Sequence, residues 1–302
     1  MCTNRTLYVV LPYFNYCAFK TRRTLFIEFV RRISREPDVH IVVVEVGNSL
    51  PKLQVHTHHR VPHVHNIWMK ENLINFAVER LPDTWEYMAW IDADITFANA
   101  RWVKDTLNAL RSNDVVQLFQ SAVNFGPEGE TIKLDTGFMY AYKSGRQYSK
   151  TNKYGHWHPG YAWACTHSAY QRMDRLVEWA ILGSADRHMA MALIGKVQDS
   201  YPGGVQPSYK ALLELFQEKC RGLRVSYING TILHHWHGSL QNRKYVERWQ
   251  VLVNNHFDPL VDVGKSNDGL IRLTPVGARF EQHLIDYFIG RDEDGLKTTG
   301  SL

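Results

Sequence analysis

Two carboxylates separated by one residue follow an apolar stretch in the first half of the chain. Residues 87–91 are apolar throughout, and Asp92-Ala93-Asp94 comes directly after them. A strand that ends in this way can direct both acids at one divalent cation beyond the edge of a sheet, and Mg²⁺ and Mn²⁺ favour such oxygen ligands. A strand end followed by an ordinary turn has the same composition, because Asp is common in turns. The pattern alone leaves a metal site and a turn as alternatives.

Two further groups of chemically active residues lie in the second half of the chain. A Gly-Tyr-Ala-Trp segment at residues 160–163 precedes a Gly-x-x-Asp-x-His pattern at residues 183–188. A His-x-x-His-Gly pattern at residues 234–238 is followed by the basic residues Arg243 and Lys244. A function assigned to the Asp-x-Asp has to account for both groups as well.

The composition is that of an ordinary globular protein. The 302 residues are 44% hydrophobic and 22% charged, which allows one large α/β domain or two small ones with a sizeable core. The formal net charge of +5 and the isoelectric point near 8.9 suit an anionic ligand or a nucleic acid. Many enzymes have the same balance, so the charge does not decide between partners.

The sequence shows no signal for membrane insertion or export. No apolar run approaches the roughly 18 residues that a membrane-spanning helix needs, and the apolar residues 7–11 are too few for a signal peptide. The cysteines have no Cys-x-x-Cys spacing and indicate free thiols in a reducing compartment; they are Cys2, Cys17, Cys165 and Cys220. We expect a cytoplasmic protein without a membrane anchor.

Strands and helices that must position these residues alternate along the chain. Residues 7–11 and 40–46 have strand composition, and residues 20–35 between them carry an apolar stripe at helical spacing. Strand, helix and strand in this order predict parallel pairing in a doubly wound sheet. The same patterns predict helices over residues 68–81, 101–111 and 168–182, and strands over residues 115–119 and 136–142.

In this order, the motifs resemble those of GT-A glycosyltransferases, of the family-2-like or galactosyltransferase-like kind. Four segments carry the resemblance: an Asn-containing helix before the Asp-x-Asp strand, a glycine-aromatic acceptor-side loop, a glycine-plus-acid motif and a late histidine motif. They lie at residues 70–77, 158–164, 183–186 and 234–239. The resemblance covers about residues 5–290, and residues 236–243 with the late Tyr287-Phe288 are similar to soluble members encoded by bacteriophages and large viruses.

The resemblance implies an α/β fold of the GT-A, Rossmann-like kind, with a mostly parallel sheet flanked by helices. We expect residues 1–240 to form the catalytic domain, with the nucleotide-sugar half over residues 1–120 and the acceptor half over residues 121–240. Residues 241–302 would pack on that domain as a helical C-terminal extension. Its polar tail, from Arg291 onward, is expected to be mobile.

The resemblance also implies a Mn²⁺ or Mg²⁺ cofactor at the Asp-x-Asp. Asp94 is expected to bind the metal directly, and Asp92 to contact the metal or the donor ribose. His237 is the first candidate for a histidine ligand, because the glycine after it leaves room for a phosphate; His234 is the second and His235 the third. A core or surface histidine is the alternative for each, and we expect at least one of the three to be of that kind.

A nucleotide sugar, with UDP-hexose as the first candidate, is the implied donor. Basic side chains after the histidines can form charge-assisted bonds to phosphate, although a solvated helix start has the same composition. Glu45 lies near the end of the second strand, where α/β proteins often contact ligands, but it could also be an exposed strand-end acid. The residues expected to contact the donor are Pro12, Tyr13, Glu45, Lys70, Asn75, Asp92 and Arg243.

Asp186 matches the position of the catalytic base in inverting members of the family. The usual Gly-Glu-Asp form is replaced here by Gly-Ser-Ala-Asp, so one acid remains, and an acid stabilised at a helix N-terminus is the alternative reading. The residues expected on the acceptor side are Gly160, Tyr161, Trp163 and His188, although a Trp in an apolar segment is more often part of the core.

The sequence thus predicts a metal-dependent, inverting hexosyltransferase with a hydroxyl acceptor. Hydroxymethylated pyrimidine in phage or viral DNA is one acceptor that fits the basic charge and the virus-like ending. It would need base flipping, which stacking aromatics assist. The alternatives are a glycan- or protein-directed transferase, a metal-dependent phosphohydrolase or nuclease, and a nucleotide-sugar-binding protein without activity. The oligomeric state is left open.

Overall fold

A computed structural model describes residues 6–148 and 157–295 of the chain. The strands are β1 (Leu7–Tyr13), β2 (Val39–Val46), β3 (Thr57–Val61), β4 (Tyr87–Ile91), β5 (Ile95–Phe97), β6 (Val115–Gln117), β7 (Ser121–Phe125), β8 (Thr131–Gly137), β9 (Trp157–His158), β10 (Ala162–Thr166), β11 (Val225–Tyr227), β12 (Thr231–His234), β13 (Val263–Lys265) and β14 (Ile271–Leu273). The α-helices are α1 (Lys20–Ile33), α2 (Lys70–Val78), α3 (Trp102–Leu110), α4 (Phe138–Lys143), α5 (His167–Met173), α6 (Ala185–Leu193), α7 (Pro207–Cys220), α8 (Glu247–Asn254) and α9 (Glu281–Gly290).

A seven-stranded sheet with the order β11-β6-β10-β4-β1-β2-β3 forms the centre of the fold. Strands β3, β2, β1 and β4 run parallel to one another, β6 and β11 are parallel to each other, and β10 lies antiparallel between β4 and β6. Parallel neighbours need a crossover connection, and α1 provides it between β1 and β2. The predicted α/β fold with a mostly parallel sheet flanked by helices is confirmed.

The inner strands β1, β2, β4 and β10 are buried on both faces, which is why they are apolar at nearly every position. Along β1, Val10 faces a cluster that includes α2, α6 and α7. Leu7, Val9 and Leu11 face the opposite cluster, to which α1 and α3 contribute. Because β1 and β4 are parallel neighbours, their carboxyl ends meet at one edge of the sheet. Polar residues follow the apolar runs there.

A smaller five-stranded sheet, in the order β5-β12-β7-β8-β9, lies beside this edge. Strand β5 begins directly after Asp94 and pairs antiparallel with β12, which ends at His234. On its other side, β12 pairs parallel with β7. The pairing of β5 with β12 brings the Asp-x-Asp and the late histidines together.

Two predicted elements are wrong. The helix expected over residues 168–182 ends at Met173, because Asp174 and Arg175 adopt left-handed backbone angles, with φ of 51° and 87°. Beyond them the backbone of Leu176 hydrogen-bonds to the side chain of Asn75, at 3.0 Å for both its N–H and its carbonyl. The strand expected over residues 136–142 is also wrong, since β8 ends at residue 137 and α4 follows at once.

The residues expected to form a helical C-terminal extension contain a two-stranded hairpin of β13 and β14 in addition to α8 and α9. The expectation of a mobile tail from Arg291 is wrong for residues 291–295, because Arg291 is 3% and Glu293 2% exposed. The rest of that tail, and Cys2 near the other terminus, lie outside the described residues. Within the described ranges, no helix combines the length and the apolar character that crossing a membrane requires.

Candidate metal and nucleotide site

Asp94, His234 and His237 converge beside the edge of the central sheet. Asp94 Oδ2 lies 2.8 Å from His237 Nε2 and 3.8 Å from His234 Nε2, and the two Nε2 atoms are 3.2 Å apart. The backbone fixes this arrangement, since the N–H of His235 donates to the carbonyl of Asp94 at 2.8 Å. One potential ligand atom from each of the three residues lies within 4.8 Å of the others.

These residues fit a divalent cation. The Oδ1 atom of Asp94 is buried and has no hydrogen-bond partner within the described structure, so a cation would satisfy it. Burial lowers the pKa of His234 to about 3, which leaves its imidazole neutral at pH 7. Burial would raise the pKa of Asp94, but His237, His234 and Arg243 outweigh it and hold that pKa well below its usual range. A carboxylate and imidazole nitrogens are ligands that first-row divalent metals accept.

His235 points away from this cluster. Its Nε2 lies 2.8 Å from Thr96 Oγ1, and its ring lies near that of Phe125. Side chains alternate between the two faces of a strand, so His234 and the residue after it face opposite sides. Of the three histidines that the sequence offered as ligands, the described cluster contains His234 and His237.

The glycine after His237 has a different role from the one expected. Gly238 has a φ of 88°, and a Cβ at this position would lie 2.9 Å from the carbonyl oxygen of Asp292 and 3.1 Å from that of Arg291. The close approach of the segment at residues 291–293 therefore requires glycine here. The glycine was expected to leave room for a phosphate beside His237, but its contact is with residues 291–293 instead.

Asp92 pairs with a lysine from the helix that precedes its strand. The Nζ of Lys70 contacts Asp92 Oδ1, and the Asp92 N–H donates to the carbonyl of Tyr161 at 2.7 Å. Burial would lower the pKa of Lys70, but the carboxylates of Asp92, Glu71 and Asp186 outweigh it and raise that pKa. The cluster that the described residues form with Asp94 does not include Asp92.

A cleft of about 670 Å³, including the space open to solvent, extends from the cluster along the ends of β1 and β4. This is the edge at which α/β proteins commonly bind ligands. Five of the residues expected to contact the donor line the cleft: Pro12, Tyr13, Lys70, Asp92 and Arg243. Arg22, Trp68 and Arg291 also line it, and sequence reasoning missed them. Arg22 lies in the helix for which the sequence showed only an apolar stripe, and Arg291 lies in the tail that was expected to be mobile.

Two residues expected to contact the donor hold loops together instead. Glu45 is fully buried and accepts hydrogen bonds from the N–H groups of Ser49 and Leu50, at 2.5 and 2.7 Å. Asn75 is fully buried as well, and both ends of its amide bond to the backbone of Leu176. Neither residue is among those that line the described cleft.

Asp186, the expected base, lies against Gly160, which was expected on the acceptor side. Asp186 is in the first turn of α6, where its Oδ1 accepts a hydrogen bond of 2.8 Å from the N–H of Arg187. A Cβ on Gly160 would lie 2.7 Å from Asp186 Oδ2. Glycine at position 160 therefore gives the carboxylate its room.

Glu71, a further acid of this region, was not singled out from the sequence. It follows Lys70 in the first turn of α2 and is 3% exposed. Burial raises its pKa to about 8, against the attraction of Lys70, and the charge of Asp186 adds to the shift. At neutral pH its carboxyl group is mostly protonated, so it can donate a hydrogen bond.

The other residues expected on the acceptor side lie in the core. The Tyr161 hydroxyl donates to Asn124 Oδ1 at 2.7 Å, and the Trp163 indole N–H donates to the Pro159 carbonyl at 2.8 Å. His188 is fully buried, and burial lowers its pKa to about 3. Its two ring nitrogens lie 2.7 Å from Ser200 Oγ and 2.8 Å from Tyr209 Oη. These three side chains have hydrogen-bond partners inside the fold.

Comparisons with known proteins give similarity at the level of solved structures. No protein-family model and no curated protein matches the sequence. A Drosophila galactosyltransferase 7 variant in complex with manganese, UDP-galactose and xylobiose is 11% identical, with coverage of 92% of this chain and 98% of that chain and a TM-score of 0.45.

Two bacterial structures show similarity of the same order. The Mycobacterium tuberculosis glucosyl-3-phosphoglycerate synthase, with Mn²⁺, UDP-glucose and phosphoglyceric acid, is 10% identical over 90% of this chain and 87% of that chain, with a TM-score of 0.40. The Anaerococcus prevotii 4-diphosphocytidyl-2C-methyl-D-erythritol synthase is 15% identical over 75% of this chain and 88% of that chain, with a TM-score of 0.36. TM-scores below 0.5 assign neither an activity nor a substrate to this chain.

Proposed function

We propose that the chain is a metal-dependent glycosyltransferase that transfers a hexose from a UDP-sugar to a hydroxyl group. The observation that supports this most strongly is the cluster of Asp94, His234 and His237, of which Asp94 and His237 line a cleft together with basic side chains. Such a cleft suits a diphosphate, because cations and a bound metal can both neutralise its charge. The choice of uridine follows the resemblance of the sequence motifs.

The metal ligands in this proposal are Asp94, His234 and His237, with Mn²⁺ as the first candidate and Mg²⁺ as the second. A divalent ion bound there supplies Lewis-acid stabilisation of the charge on a departing diphosphate. Lys70 and Arg243 bind the phosphate oxygens through charge-assisted hydrogen bonds. Pro12 and Tyr13, at the end of β1, border the nucleotide.

Asp186 serves as the general base. Its carboxylate accepts the proton of the acceptor hydroxyl while the acceptor oxygen forms a bond to the anomeric carbon. The bond between that carbon and the diphosphate oxygen breaks, and the nucleoside diphosphate leaves with the electron pair. A single displacement of this kind inverts the anomeric configuration. General-base assistance contributes about 10²–10⁴-fold to such a rate.

For the acceptor, we keep several candidate classes of hydroxyl group, whereas the donor is a single class, a UDP-hexose. Hydroxymethylpyrimidine in DNA is kept as one candidate, and its support is the net charge of +5, which also suits other anionic partners. Glycan and protein hydroxyls are the other candidates. Incubation of the protein with a UDP-hexose and duplex or single-stranded DNA, with and without hydroxymethylcytosine, separates them through the mass of the product nucleosides.

The donor half of the proposal is tested by calorimetric titration of UDP and GDP, with and without Mn²⁺. We expect metal-dependent UDP binding by the wild-type protein and loss of that binding in Asp94→Ala. Asp83→Ala is the matched control, since Asp83 is exposed and precedes the opposite end of β4. If the protein holds Mn²⁺ but binds no nucleoside diphosphate, the transferase proposal fails and a metal-dependent phosphohydrolase or nuclease takes its place.

A further inference from the structure

Residues 291–294, here named the C-terminal strap, connect the cluster of Asp94, His234 and His237 to α1. The Asp294 carboxylate accepts hydrogen bonds from the N–H groups of Lys20 and Thr21, both at 2.7 Å. The first N–H groups of a helix need such acceptors. Phe19, at the N-cap position of α1, makes no side-chain cap hydrogen bond in the described structure, so the strap supplies this acceptor.

Glu293 of the strap is buried between two arginines. Arg22 donates to both of its carboxylate oxygens, from Nε at 2.7 Å and from Nη2 at 2.5 Å. The Nε of Arg291 donates to the same carboxylate at 2.7 Å. The strap thus holds a fixed negative charge in the interior.

This charge faces the side of His237 that the metal cluster leaves free. Glu293 Oε2 lies 3.6 Å from His237 Nδ1, whereas His237 Nε2 lies 2.8 Å from Asp94 Oδ2. The two ring nitrogens therefore face two different acids. Arg243 Nη2 lies against the same ring, 2.7 Å from Nε2 and 3.2 Å from Nδ1, so a metal at Nε2 requires this guanidinium to withdraw.

The position of the strap is fixed by a second, independent feature. Gly238 directly follows His237, and its α-carbon lies so close to the strap that a Cβ would meet the backbone of Arg291, Asp292 and Glu293 at 2.9–3.1 Å. The chain that carries the histidine and the chain that carries the carboxylate are therefore packed backbone against backbone. This contact fixes the backbone that carries His237 beside the backbone that carries Glu293.

We propose that Glu293 is a positioning residue of the metal site, which keeps the Nδ1 of His237 towards the strap and leaves Nε2 for the metal. The inference rests on the metal cluster of the proposed function. A histidine that binds a metal usually directs its other ring N–H to a carboxylate or carbonyl, which fixes the tautomer and raises the basicity of the ligand. Loss of such a partner typically weakens metal binding about 10- to 100-fold.

Calorimetric titration of Mn²⁺ into the purified protein tests the proposal without any substrate. We expect Glu293→Gln to weaken Mn²⁺ binding about 10- to 100-fold relative to the wild type. Asp294→Asn is the matched control. It weakens the bonds between the strap and α1 but leaves the Glu293 carboxylate in place beside His237. It should lower the melting temperature and leave the Mn²⁺ affinity within about threefold of the wild type.

Glu293→Asp provides a second variant that keeps the charge between the arginines. Because its side chain is one methylene shorter, its carboxylate should reach His237 less well and also weaken Mn²⁺ binding, which keeps the test available if Glu293→Gln does not fold. Unchanged affinity in a folded Glu293 variant, or an equal loss in Asp294→Asn, would overturn the proposal. Absence of Mn²⁺ binding by the wild type would instead overturn the metal site of the proposed function.

Discussion

The α-carbon of Gly160 lies so close to Asp186 Oδ2 that a Cβ added at position 160 would be 2.7 Å from that oxygen. Real side chains do not tolerate this separation, so the Asp186 carboxylate would have to shift if position 160 carried one. The contact puts the backbone of one predicted acceptor-side residue directly against the proposed base.

Gly160→Ala is therefore expected to displace the Asp186 carboxylate and to lower kcat for transfer. A displacement of about 1 Å in a reacting group can reduce a rate about 100-fold. Asp186→Asn gives the reference, with a loss of about 10²–10⁴-fold. Both variants should keep wild-type affinity for UDP and Mn²⁺ in calorimetry. Full transfer activity in Asp186→Asn would remove the base assignment, and UDP binding with no transfer by the wild type would favour a binding protein.

The histidine pair offers a test with an adjacent control. His234→Ala and His237→Ala each remove one nitrogen of the three-residue cluster and should abolish Mn²⁺ binding or weaken it at least 100-fold. His235→Ala removes the neighbouring ring, which contacts Thr96 on the other face of the strand, and should leave Mn²⁺ affinity unchanged. Equal losses in all three variants would indicate that the segment is merely destabilised, which thermal melting of each variant would show.

Arg243 and Lys244 are adjacent basic residues, and comparing their variants tests whether the cation in the cleft binds the diphosphate. Arg243 lines the cleft, whereas Lys244 is exposed. A hydrogen bond to a charged group contributes about 1.5–3 kcal/mol, so Arg243→Ala should weaken UDP binding about 10- to 100-fold. Lys244→Ala should change it less than threefold. Titrations at matched Mn²⁺ concentration give both values, and equal effects would place the diphosphate elsewhere.

Glu71 makes stability depend on pH in a defined direction. Its pKa is raised from 4.5 to about 8 on folding, chiefly by burial, so the folded state holds a proton that the unfolded state has released between these values. Stability should fall as the pH rises through this interval, by a few kcal/mol at most. Glu71→Gln carries no titrating group, so its advantage over the wild type should grow from pH 5 to pH 8.

Thermal melting at several pH values measures this difference. Glu214→Gln, on the exposed face of α7, is the control and should follow the wild type at every pH. If the difference between Glu71→Gln and the wild type is the same at pH 5 and pH 8, Glu71 does not change its protonation in this interval.

The architecture was accessible from the sequence because it rests on local signals. The near-continuous apolar runs that became β1 and β2, with an amphipathic helix between them, determine parallel pairing whatever the rest of the chain does. Asp94 could be found in the same way, since the Asp-x-Asp that contains it follows a buried strand at the sheet edge. The helix expected over residues 168–182 failed because two residues that are not glycine adopt left-handed angles, a tertiary effect without a sequence signal.

Residues of the site were harder to place, because burial and pairing are non-local. Glu45, Asn75 and His188 are polar residues near plausible positions, yet each is buried with its hydrogen bonds satisfied inside the fold. Glu293 shows the opposite error, since an acidic residue in a polar tail turned out to lie in the interior. The spacing of polar and apolar residues in the sequence is the same for an exposed acid and for a buried acid whose charge a remote arginine neutralises.

The bonds from Asp294 to the start of α1 join residues 273 and 274 positions apart in sequence. During synthesis, therefore, α1 is made before the acceptor for its first N–H groups, which lies 273 and 274 residues further along the chain. Closing a loop of this length carries an entropic cost that local contacts do not offset. Helix α1 is consequently completed only when the strap reaches it, and the strap also brings Glu293 to His237.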